Sequence, residues 1–156
     1  ARQRKQLSLA AQLHDIGKIS IPDHVLHKPG KLTPEEFRSV KAHPATGERI
    51  LAPVVRNKAV LAAIRGHHER LDGTGYPDGL RGMQVPLLAR LIAIPDCFDA
   101  LTTSRAYREA LPLDEAMRIL RDGAGKHFDP ELVQLFLPLA PGLLAGQALD
   151  GESAFV

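Results

Sequence analysis

Cysteine is what this chain has least of. One residue, Cys97, occurs in 156, so no intramolecular disulfide can form, and packing, hydrogen bonds and any bound metal must hold the fold in reducing surroundings. Long apolar runs are also missing. No stretch could cross a bilayer, and the amino end, ARQRKQ, has neither the apolar segment nor the cleavage pattern of a signal peptide. A cytoplasmic location is the expectation. Charge of one sign is scarce as well: the formal net charge is +2, and the basic residues are dispersed apart from Arg2, Arg4 and Lys5, which read as a solvated helix face. Electrostatics therefore give no support to nucleic-acid or membrane binding. Internal repeats and low-complexity segments are absent, and strand signals are few.

With 44% hydrophobic and 24% charged residues, the chain has the balance of one globular domain. Its punctuation predicts an all-α fold of about six or seven helices joined by Pro/Gly loops. Leu7, Ala10, Ala11 and Leu13 recur at helical intervals over about 5–15, and Gly17 is a natural stop, which places His14 and Asp15 in the last turn. LTPEEF is a strong helix start: Thr33 can cap, Pro34 suits the first position and Glu36 completes a capping box. That helix heads for His43, and Pro44 predicts a kink or break there. Further helices are expected at about 54–69, 86–103, along DEAMRIL, and along FDPELVQLFL with Asp129 as cap. Between the second and third of these, DGTGYPDGLRG holds four glycines and a proline and must be a loop. Pro95 predicts a kink just before Asp96. The domain is expected over 1–138, followed by a tail or short helix over 139–156.

Six potential metal ligands, His14, Asp15, His43, His67, His68 and Asp96, lie at helix ends or beside prolines. Imidazole nitrogen and carboxylate oxygen suit Zn, Fe or Mn, and an Asp can bridge two cations through its two oxygens. Asp15 is the candidate bridge. A lone His is more often an ordinary surface or hydrogen-bonded residue, and His24, His27 and His127 are read that way. The adjacent pairs differ, because titratable neighbours within apolar helices are costly to desolvate without a compensating ion. Two nearby cations suit phosphodiester hydrolysis: they acidify water, bind phosphate oxygens and stabilise the leaving alkoxide. Lys18, four positions after His14, is placed to hold a phosphate; its plainer role is a cation complementing a helix end.

HDIGK, HPATG, HHERLDGTGYPDGL, ARLIAIPDCFDALTTSRAYR and GKHFDP follow one another from about Leu7 to Leu137. In that order they resemble the HD-GYP domain, a branch of the HD phosphohydrolases. The resemblance implies an all-helical domain with two divalent metal ions, Fe or Mn foremost with Zn as an alternative, that hydrolyses cyclic di-GMP to linear pGpG or on to GMP in bacterial signalling. It assigns His14, Asp15, His43, His67, His68 and Asp96 to the metals, with Asp15 bridging. Lys18, Arg105 and Arg108 fall to the dinucleotide. Arginine geometry independently suits guanine or phosphate acceptors, although helix continuing nine residues past Asp96 would carry Arg105 to the opposite face, so the helix must end or bend first. Gly75, Tyr76 and Pro77 argue for loop shape and partner contact, and the family is linked to diguanylate cyclase domains through this loop. An alternative to catalysis is a silent cyclic-dinucleotide sensor or a cyclase-binding adaptor.

Three features depart from the family's pattern. Ala106 stands for the usual proline of its segment, AIPD replaces a valine-alanine-aspartate ending, and the first helices are missing. Because the chain starts at Ala1 within a helical pattern, it is expected to belong to a longer protein with an upstream regulatory or sensor domain. The missing helices carry a further His or Glu in the family, which leaves a third metal open.

Overall fold

A computed structural model describes residues 2–104 and 109–144. Eight α-helices occur among them: α1 (Arg2–Leu13), α2 (Asp23–Leu26), α3 (Pro34–Lys41), α4 (His43–Leu51), α5 (Lys58–Gly66), α6 (Leu87–Thr102), α7 (Leu113–Gly123) and α8 (Pro130–Phe136). Two 3-10 turns, Ile16–Ser20 and Gly82–Gln84, and a helical stretch at 140–144 complete the regular structure. Among the described residues there is no strand, only the isolated bridges Asp72 to Arg81 and Ala124 to Phe128. The all-α expectation holds, with more helices than foreseen. One addition is the single turn of α2; another is the break at Ala42, where α3 ends and α4 begins with Pro44 at its second position.

Local chemistry sets these boundaries. The Thr33 capping box is formed in both directions, Glu36 N–H donating to the Thr33 hydroxyl at 3.2 Å and Thr33 N–H to Glu36 Oε2 at 2.7 Å. Asn57 accepts from the Ala59 and Val60 amides, so α5 starts later than its apolar pattern suggests. Asp129 caps α8 in the same way. Helix α1 ends at Leu13, leaving His14 and Asp15 in a turn just beyond it instead of in its last turn. Gly17 does not stop α1; it lets the following 3-10 turn press on α4. A Cβ there would come within 1.9 Å of the His43 carbonyl oxygen and 2.6 Å of the Gly47 amide nitrogen.

Two apolar clusters flank α6. Ala10, Leu51, Val60, Ala63, Ile64 and Ile92 join α1, α4, α5 and the first half of α6. Ile94, Phe98, Leu101, Ala116, Leu120, Val133 and Ala140 join its second half to α7 and α8. Pro95 lies inside α6, which spans it as one helix. No helix among the described residues is long and apolar enough to cross a membrane.

Candidate metal centre

Three helices end on one point. The last carbonyls of a helix lack intrahelical partners, and a histidine just past the end can use them. Nδ1–H of His14 donates to the Ala11 carbonyl, that of His43 to Val40 and that of His67 to Ile64, each at 2.7 Å. Since a carbonyl only accepts, each Nδ1 carries the proton and each Nε2 presents a lone pair. The His43 and His67 Nε2 atoms lie 3.3 Å apart, and Asp15 Oδ1 lies 3.3 Å from the first and 3.9 Å from the second. His14 Nε2 is 3.4 Å from Asp15 Oδ2 and 3.6 Å from Asp96 Oδ1. Both His14 Nε2 and Asp15 Oδ1 are buried without a hydrogen-bond partner.

These donors form two groups that share Asp15: Asp15, His43, His67 and His68, and His14, Asp15 and Asp96, with ligand atoms in each within 4.8 Å of one another. Lone pairs and carboxylate oxygens packed together under cover repel one another and lack solvation, so the set fits cations, which supply the missing positive partner. All six residues expected as ligands are thus gathered, the first group buried and nitrogen-rich, the second more open and oxygen-rich.

The electrostatics follow. Burial pushes His67 down to about 3, helped by repulsion from His68, and pushes His68 down to about 4, so both imidazoles are neutral at pH 7 and able to ligate. For Asp15 burial acts upward, but contacts from His43 and Lys18 outweigh it and hold the carboxyl well below the usual range. Lys18 Nζ donates to Asp15 Oδ2 at 2.6 Å, so the expected phosphate contact begins from an ion pair with the shared carboxylate. Burial likewise opposes ionisation of Asp96 and protonation of His14, and their proximity wins in both, lowering the acid and raising the base.

The Gly75-Tyr76-Pro77 loop is folded against this cluster. The Tyr76 ring lies 4.9 Å from the His68 ring at a 32° tilt, and its amide donates to the His68 carbonyl at 3.2 Å. Gly75 is required by that closeness, because a Cβ would lie 2.4 Å from the Arg70 amide nitrogen. Sequence reading missed what holds the loop. Glu69 is buried, and its carboxylate accepts from the amides of Asp78, Gly79 and Leu80 at 2.6, 3.2 and 3.0 Å. Arg65 grips Asp78 with two bonds of 2.7 and 2.8 Å and reaches Glu48 at 2.9 Å, a forked geometry that fixes orientation. The available signal was an acid directly after the histidine pair. Arg105, Arg108 and Ala106 lie outside the described residues; α6 does end at Thr102, before them. His24 and His27 are exposed, and His127 lies 3.9 Å from Asp72, apart from the cluster.

A family model described as HD domain matches residues 1–132. The chain is 46% identical over 138 residues to a Thermotoga maritima protein named "Cyclic di-GMP phosphodiesterase", covering 86% of this chain and 37% of that one. It is 45% identical over 125 residues to the Vibrio cholerae "3'3'-cGAMP-specific phosphodiesterase 3", covering 80% and 27%. Among solved structures, a HDG"Y"P protein from Bdellovibrio bacteriovorus superposes with a TM-score of 0.71 at 26% identity, over 88% of this chain and 44% of that chain. The chain spans about a third of the length of the curated relatives it matches first.

Proposed function

The chain belongs to the HD domain family, and from that premise we propose that it is the catalytic module of a metal-dependent cyclic dinucleotide phosphodiesterase that opens cyclic di-GMP to pGpG, or on to GMP. The observation that carries this reading is the pair of donor groups joined by Asp15. His43, His67 and His68 would hold one divalent cation and His14 and Asp96 the other, with Asp15 between them. Such ions, Fe or Mn foremost, would supply Lewis acidity for the phosphate and lower the pKa of water. The chain's own residues do the rest. The i−3 carbonyls lock the imidazoles in one tautomer, and Lys18 holds Asp15 and offers its ammonium to the phosphate. Arg105 and Arg108 are proposed to bind the dinucleotide further out.

The module is proposed to occupy 1–138 of a longer cytoplasmic protein with an upstream sensor or regulatory domain. Relatives named for cyclic di-GMP and for 3'3'-cGAMP both exceed 40% identity, so the test must include both substrates. Full-length protein charged anaerobically with Fe(II) or Mn(II) is expected to convert cyclic di-GMP to a linear product seen by chromatography. Turnover of 3'3'-cGAMP alone would replace the substrate, and tight binding without turnover of either would favour the silent-sensor reading. Tyr76, packed on His68, lends the cyclase-docking idea no support.

A further inference from the structure

Next to the cluster stands a cation the mechanism has not used. Lys41, the last residue of α3, puts its ammonium 4.7 Å from the centroid of the Phe37 ring and 5.5 Å from that of Tyr76. Tyr76 in turn covers His68. The other cation of α3, Arg38, is paired with Glu35 at 2.8 Å, and Lys18 is committed to Asp15. Among the described residues Lys41 has no carboxylate partner, and two aromatic faces hold it in place while leaving its N–H donors unspent. Phe37 is 46% exposed, so the position opens to solvent at the rim, one ring's thickness from the proposed metal centre. A base projects from its phosphodiester by the width of a ribose, which suits that offset.

Resting on the dinucleotide reading above, we propose that Lys41, set between Phe37 and Tyr76, donates to the O6/N7 edge of a guanine and so selects guanine over adenine at this place. Guanine presents two acceptors on that edge, whereas adenine presents one acceptor and a donor that would oppose the ammonium. A phosphate contact would be indifferent to the base. A lysine that merely complements the end of α3 would affect neither.

The test compares full-length wild type with Lys41→Met and Lys41→Arg, measuring KM and kcat for cyclic di-GMP, inhibition by cyclic di-AMP, and bound metal. Lys41→Met is expected to raise KM about tenfold, the order of one lost base-edge contact, with kcat within about twofold and metal content unchanged. Inhibition by cyclic di-AMP should not weaken, and Lys41→Arg should recover most of the KM. An unchanged KM in Lys41→Met would overturn the inference, as would equal weakening towards both dinucleotides, which marks a phosphate contact. Wild type that turns over no guanine dinucleotide would bring down the underlying reading and this one with it.

Discussion

The two apolar clusters that share α6 solve different problems. The one around Ile64 and Val60 is built from modest side chains and exists to bring helix ends together: α1, α3 and α5 each terminate in a histidine that borrows an i−3 carbonyl. The one around Leu120 and Phe98 is packing alone, including a T-shaped pair in which the Phe98 and Phe136 centroids are 5.4 Å apart. Helix α6 belongs to both, Ile92 facing the first, Ile94 the second, and Asp96 reaching the donor cluster. One half therefore carries buried lone pairs that favour a cation, and the other supplies stability that does not depend on one.

Asp15→Ala tests the division hardest. Losing the shared carboxylate should remove several kcal/mol of transition-state stabilisation, on the order of a thousandfold or more in rate, together with bound metal; metal analysis and turnover check it, and near-normal activity would break the comparison. Leu120→Ala should cost about 2–5 kcal/mol in chemical denaturation, because a fully buried side chain leaves a cavity, yet still-folded molecules should bind metal as before.

Acid should expose the first half alone. His67 and His68 have folded values of about 3 and about 4 against an unfolded 6.5, so below pH 6.5 the unfolded chain binds more protons. Their contribution is present above 6.5 and is lost as pH falls towards 4 and 3, by about 1.4 kcal/mol per pH unit for each. His14, raised, runs the other way: its contribution is complete below 6.5 and fades as pH rises through the raised value. Melting of metal-free protein should accordingly fall steeply from pH 6.5 to 5, and bound metal should blunt the fall; a flat profile would mean the imidazoles are not held neutral by burial. The smallest effect expected is from Glu69→Ala, about 1–3 kcal/mol from orphaned amides at the loop, read by urea unfolding.

Much of the site was legible because its signals are local. Adjacent titratable residues at helix ends, a proline after His43 and a capping box before it all fix where donors sit without knowledge of the tertiary fold. The ends of α1 and α5 were misplaced because tertiary contacts decide them: Gly17 passes against His43 and Gly47, and Asn57 caps a helix whose apolar pattern starts earlier. Glu69 escaped notice for the same reason, since its three partners lie nine to eleven residues ahead and only the folded loop aims their amides at it. Lys41 looked like any lysine at a helix end until Tyr76 was seen beside it.

Anomalous diffraction at the metal edge, from protein loaded anaerobically with Fe(II) or Mn(II), addresses the central claim most directly. The account predicts two peaks on either side of Asp15, one among His43, His67 and His68 and one beside His14 and Asp96. Metal ordered elsewhere, or none in this cluster at saturating concentration, would contradict it.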